Sequence, residues 1–167
     1  MVYDPALLDA IEGLGAGPFD AIVWRHMFND YDPARANTRG ARWNPAGVAA
    51  IYASLERQTA LAEADYAISS QPIRPRASRS VYQIRVRLER VVDLTDRAML
   101  VPLGVGASEL EDVEQGPCRA IGGAAHWLDR DGLLVPSARS DGTNLVLFPD
   151  RSNVDAPFEV QDREQLT

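Results

Sequence analysis

Residues 40–63 read GARWNPAGVAAIYASLERQTALAE. The first eight hold two glycines and a proline, the strongest turn formers. Among them stand Arg42, Trp43 and Asn44. A bulky indole and a planar guanidinium in a turn mean either packing beneath a loop or a built binding site. Residues 48–54, VAAIYAS, follow as a largely buried strand carrying Tyr52. Residues 56–68 then read as a helix with an apolar stripe of Ala60, Leu61, Ala64 and Ala67. Thr59 and Glu63 lie four apart and share a face of that helix. An acid beside an apolar stripe is half-buried for a reason or leans out to solvent.

Working outward, Asp4 and Pro5 are an N-cap and a first helical position, opening a helix over residues 6–14. Residues 19–27, FDAIVWRHM, form a strand, and residues 29–47 a long turn-rich loop. Residues 71–78 carry two prolines and read as a loop. Residues 81–94 are the clearest strand; Val81, Ile84, Val86, Leu88, Val91 and Val92 mix alternation with a bulge. Thr95 caps a helix that ends near Pro102. Residues 116–129 form a helix with Cys118, Ile121, Ala125 and Leu128 on one face. Short strands follow at 132–135 and 144–148, with an edge strand at 158–161. Strands and helices mix without a regular βαβ rhythm, which predicts an α+β class. Repeats, low-complexity tracts and linkers are absent, so residues 1–167 read as a single domain.

The composition narrows the function. Net charge is -7 and no basic stripe is present, which argues against direct nucleic-acid binding. All 17 cations are arginine. Arginine gives planar, bidentate recognition of phosphate and carboxylate, so the place where arginines converge matters. Cys118 is the lone cysteine, which excludes an intrachain disulfide and a Cys-rich zinc site. His26 and His126 have no ligand-like spacing, so no metal is expected. GLGAG at 13–17 precedes a strand instead of following one, against a dinucleotide fold. Ser137 stands in PSAR, not in a GxSxG elbow. No apolar run approaches a membrane span, and the acidic N-terminus is unlike a signal peptide. A cytoplasmic protein without membrane contact is expected.

Six short motifs remain. They are WRH at 24–26, RWN at 42–44, YAS at 52–54, TALAE at 59–63, VPSAR at 135–139 and NLVLFP at 144–149. In this order they resemble the RES domain, named for an Arg, a Glu and a Ser; the motif-bearing core is about residues 19–150. The resemblance implies an ADP-ribosyltransferase-like fold, with a mixed, mainly antiparallel β core flanked by helices. It implies the toxin of a bacterial toxin–antitoxin pair, partnered by an Xre-type helix-turn-helix antitoxin. It also implies consumption of NAD+ by hydrolysis or phosphorolysis, or transfer of ADP-ribose to a protein. NAD+ is then a substrate, inorganic phosphate one candidate acceptor, and no permanently bound cofactor is expected.

The chemistry suits the residues. Nicotinamide leaves NAD+ as a neutral molecule, so the reaction needs no strong general acid. One carboxylate can stabilise an oxocarbenium-like transition state. By resemblance Glu63 takes that role, with Arg25 and Ser137 beside it as catalytic candidates. Arg25, Arg42, Tyr52, Ser137 and Asn144 form the candidate NAD+-binding set: the arginines on pyrophosphate or ribose, Tyr52 on nicotinamide, Ser137 hydrogen-bonding the ligand without acting as nucleophile. Each also has a plainer reading. Arg25 can reach solvent, Arg42 can decorate a turn, Tyr52 can pack the core, and Ser137 and Asn144 can be turn residues. His26 is a neutral donor near the site or a strand-end residue. Whether Arg35 or Arg39 faces ligand stays open, as does a non-catalytic nucleotide- or protein-binding module.

Overall fold

Asp4 opens the first helix as its pattern predicts, accepting the amide of Ala6 at 2.9 Å ahead of Pro5. In the computed structural model, residues 2–72, 76–111 and 115–166 are described. The first helix, α1, spans Pro5–Leu14. Then come β1 (Gly17–Phe28), β2 (Ile51–Ser54), α2 (Arg57–Ser69) and β3 (Arg79–Asp93). Next are α3 (Arg97–Leu100), α4 (Ala107–Glu111) and α5 (Gly116–Trp127). The chain closes with β4 (Gly132–Pro136), β5 (Thr143–Leu147) and β6 (Phe158–Leu166). Residues 73–75 of the loop expected at 71–78 lie outside the described residues.

β3 organises the sheet. β1 pairs antiparallel along one edge, from Phe19↔Leu88 to Phe28↔Arg79. β6 takes the other edge from Val86 back to Arg79, and β4 runs parallel to β3 from Val91 to Asp93. β4 pairs β5, β5 pairs β2, and β2 returns to β1 through Trp24↔Ser54. The pairings therefore close into a circuit, all antiparallel except β3–β4, with β6 outside it. The expected bulge lies on β3: Gly17 faces Val91 but Phe19 faces Leu88, which leaves one extra residue on β3. There the strand changes partner from β6 to β4, where a bulge bends it.

Side-chain alternation divides the interior in two. Val146 enters a cluster with Ile11, Trp43, Ile121 and Phe148, under α1 and α5. Its neighbours Leu145 and Leu147 enter the other, with Val23, Ile84 and Val86. Ala50 and Ile51 split in the same way. A strand buried on both faces shows no polar alternation, which is why these segments read as continuous apolar runs.

Three boundaries differ from expectation, each for a local reason. The helix expected at Thr95 is capped by Asp96, whose carboxylate accepts the amide of Ala98 at 2.9 Å. Thr95 is engaged by Asp93 through both its amide and its hydroxyl. The last strand runs to Leu166, beyond the expected 161, because main-chain pairing to β3 continues under exposed polar side chains. The strand expected from 48 begins at Ile51; Ala50 makes only an isolated bridge to Asn37. Among the described residues no helix is long and apolar enough to cross a membrane.

α5 contains Gly122 and Gly123, a pairing that lowers helix propensity. A β-carbon on Gly122 would stand 1.6 Å from the carbonyl oxygen of Trp43. The glycine lets the 40–47 loop lie directly on the helix. Gly122→Ala is expected to lower stability by at least about 2 kcal/mol in urea denaturation. Gly13→Ala in α1 meets nothing within 4 Å and should raise it by about 0.5–1 kcal/mol.

Candidate active site

Helix α2 directs its N-cap residue Glu56, and Thr59, Glu63 and Tyr66, toward the β4–β5 turn. Spacings of three and four keep these side chains in one row. Glu56 Oε2 accepts the amide of Thr143 at 3.2 Å. The Thr59 and Ser140 hydroxyls meet at 2.8 Å. Glu63 Oε1 accepts the Ser137 hydroxyl at 2.7 Å, and the Arg139 guanidinium lies 3.3 Å over the Tyr66 ring centre. Gly142 makes this approach feasible, since a β-carbon there would meet Thr59 Oγ1 at 2.0 Å.

Glu63 is held a second time. Asn144 Nδ2 donates to the same Oε1 at 2.9 Å, and the Ser54 hydroxyl fixes Asn144 by donating to its Oδ1 at 2.7 Å. Ser137 is buried, and its oxygen accepts the amides of Arg139 and Ser140. Its one hydroxyl proton points at Glu63, so Ser137 acts here by positioning that carboxylate. Glu63 Oε2 takes no hydrogen bond among the described residues.

Glu63 lines a cavity of about 550 Å³, within the range that takes a small organic ligand. Its walls come from β1 (Trp24 to Phe28), the 41–43 loop, β2 (Tyr52 to Ser54), α2, and Pro136, Ala138, Arg139 and Asn144. Arg25, Arg42 and Arg139 line it with Glu63, its sole lining carboxylate among the described residues. An acidic chain thus gathers three of its arginines at one cavity.

The walls are tied from behind. Asn44 is fully buried; its amide donates to Val48 O at 2.8 Å and Asn37 O at 3.3 Å. Its Oδ1 accepts the Tyr52 hydroxyl at 2.6 Å, and the Trp43 amide donates to that hydroxyl at 3.0 Å. Tyr52 therefore presents ring to the cavity while its oxygen locks the loop. Burial pushes its phenol pKa well up, only partly opposed by the Trp43 amide. Trp43 is buried beneath the loop. Gly40 and Gly47, at φ +97 and +91, make the turns on either side.

Arg42 reaches the cavity wall and donates to the carbonyl of Glu109 at 3.2 Å. Arg119 braces the same loop through the Ala41 carbonyl at 3.1 Å. Arg25 donates from Nη2 to the Arg35 carbonyl at 2.8 Å. Burial lowers its pKa to about 10, partly offset by Asp32, so it is charged at neutral pH. Its Nη1 is buried without a hydrogen-bond partner among the described residues. His26 lies within β1, not at its end, and lines the cavity. Its Nε2 accepts from Arg79 Nε at 2.9 Å, which makes it the neutral Nδ1–H tautomer. Arg35 stacks on Tyr31, while Arg39 is exposed; neither lines the cavity.

All six expected site residues thus gather in one region, five on the cavity wall and Ser137 behind Glu63. Ser54, Asn44 and Tyr66 were not singled out. Ser54 and Asn44 stand inside quoted motifs, but only pairing reveals what they hold.

The chain matches the RES domain over residues 19–166. It belongs to the RES domain family. The RES chain is 25% identical over 171 residues to proteins named NAD(+) phosphorylase MbcT from Mycobacterium bovis and Mycobacterium tuberculosis. The match covers 98% of this chain and 90% of each relative. Its fold is also similar to a solved chain of the M. tuberculosis MbcT–MbcA toxin–antitoxin complex, with a TM-score of 0.88 and 24% identity. That alignment covers 98% of this RES chain and 93% of the other.

Two predictions follow from the supports of the RES cavity. Tyr52→Phe leaves the buried Asn44 Oδ1 and the Trp43 amide without a partner, and should lower stability by about 1–3 kcal/mol in urea denaturation. For His26, burial first and then the Arg79 charge lower the pKa to about 4, with Asp65 opposing. The unfolded histidine titrates near ~6.5. Below that pH the unfolded chain binds a proton that the folded chain refuses. Stability from His26 is therefore full above ~6.5 and lost as pH falls toward 4. Urea midpoints across this window should fall less steeply in His26→Gln than in the parent.

Proposed function

We propose that this chain is the toxin of a toxin–antitoxin pair and cleaves the nicotinamide–ribose bond of NAD+ with inorganic phosphate as acceptor. The observation that carries the reading is Glu63: among the described residues the sole carboxylate lining an arginine-rich cavity, held on one oxygen by Ser137 and Asn144. Oε1 is occupied, so Oε2 serves the ribose. There a fixed negative charge stabilises the positive charge that develops at C1′ as nicotinamide leaves. Arg25, with a buried donor unpartnered among the described residues, and Arg42 supply positive charge for the pyrophosphate. The Tyr52 ring offers a face for nicotinamide.

The name NAD(+) phosphorylase borne by the mycobacterial relatives supports phosphate as acceptor. The solved toxin–antitoxin complex supports an antitoxin as partner. The motif resemblance alone suggests that the antitoxin is of the Xre type and that the pair acts in the cytoplasm. NAD+ is substrate, and no resident cofactor is part of the mechanism.

The test is to incubate the purified chain, free of antitoxin, with NAD+ in the presence and absence of phosphate. Free nicotinamide and the ribosyl products are then measured. Phosphate-dependent release with ADP-ribose phosphate as product is expected. Release into ADP-ribose alone would assign hydrolysis, and label transferred to protein from a lysate would assign ADP-ribosyl transfer. No release in any arm by folded protein would overturn the reading. Glu63→Gln should cut the rate by about 10²–10³-fold, the range for losing one preorganised electrostatic group. Its circular dichroism should match the parent.

A further inference from the structure

Arg139 differs from the other arginines on the cavity wall. Arg25 and Arg42 each donate to a backbone carbonyl. The Arg139 guanidinium has its face on Tyr66, and among the described residues its side chain makes no hydrogen bond and no ion pair. Stacking uses the face of a guanidinium and leaves its in-plane N–H groups for an anion. The stack also fixes where those donors point.

Arg139 enters on a different wall, from the turn after β4, beside Glu63. Its amide bonds Ser137 Oγ at 3.0 Å, and that hydroxyl bonds Glu63. Tyr66 follows Glu63 by three residues on α2, a spacing of about 5–6 Å between β-carbons. The guanidinium therefore sits one helical neighbour away from the carboxylate proposed to face C1′.

A charge argument gives that placement a use. Water attacks beside a carboxylate without repulsion. Hydrogen phosphate brings two negative charges to the same place and needs a cation there. We infer that Arg139, oriented by Tyr66, binds the acceptor phosphate and so determines the choice of phosphate over water. This rests on the NAD+-cleaving reading above. In the step, a phosphate oxygen forms a bond to C1′ as the C1′–N1 bond breaks. The electron pair passes to the pyridinium nitrogen and neutralises it. The phosphate keeps its remaining proton, and no further reactant is needed.

The test is a KM split in steady-state assays varying phosphate and NAD+ separately. Arg139→Ala should raise the KM for phosphate by about tenfold to a hundredfold, as loss of a charge-assisted hydrogen bond predicts. The KM for NAD+ should move by less than about threefold, and the share of ADP-ribose among the products should rise. Tyr66→Leu, which keeps the arginine but removes its platform, should shift the phosphate KM in the same direction by a smaller factor. It also serves if Arg139→Ala does not fold. An unchanged phosphate KM in a folded variant would overturn the assignment, as would equal losses for both substrates. A parent enzyme indifferent to phosphate would also overturn it while leaving NAD+ cleavage intact. A parent that releases no nicotinamide would remove the NAD+ reading and this proposal together.

Discussion

One oxygen of Glu63 accepts a hydroxyl from Ser137 and an amide from Asn144, groups 74 and 81 positions away. That convergence joins helix α2 to the β4–β5 turn and to β5. A carboxylate moved off the surface is costly unless hydrogen-bonded. Two donors on Oε1 meet that requirement and leave Oε2 unengaged by the described residues. Ser54 extends the arrangement into β2 by orienting Asn144, at the register Ser54↔Asn144. The β2–β1 contact, Trp24↔Ser54, passes through the same serine. The site and the closure of the sheet circuit thus share residues.

A second polar knot supports the opposite edge of the cavity. Tyr52, Asn44 and the Trp43 amide are mutually bonded, and Asn44 satisfies its own amide on two carbonyls of the loop. Buried polar groups that are fully paired specify one arrangement. The loop can then be rigid although it is not helix or strand. Gly122 lets α5 receive it, and Trp43 carries its weight into the apolar core. The arrangement suits chemistry that depends on holding charges at set places rather than on a strong acid or nucleophile.

Much of this was legible in the residue order. The strand 19–27, the helix 56–68 and the helix 116–129 are found within two residues of their expected ends, because apolar periodicity is strong there. The irregular alternation along residues 81–94 signalled a bulge, and only the pairing with β1 places it between Leu88 and Val91. The motif order led to the family and to six residues that do converge. What was not legible has common causes. The cap moved from Thr95 to Asp96 because two candidate caps stood side by side and Asp93 claimed one. β6 is longer than its apolar content suggests because ladder hydrogen bonds need no apolar side chains. Ser137 was expected to face ligand, whereas burial and a single donated proton direct it to Glu63.

Local sequence determined the elements, their order, and the residue types present for the chemistry: arginines, one glutamate on a helix face, a tyrosine on a buried strand. Those depend on periodicity, capping and turn formation, all short-range. Tertiary structure alone decided which partner each polar group takes. Asn144 could have been a plain strand-opening residue and Tyr66 a helix residue without a partner; the turn laid against α2 made one a clamp on Glu63 and the other, though still exposed, a platform for Arg139. Hydrogen bonds and stacking are satisfied in space, and chain order does not say which of several competing partners will arrive.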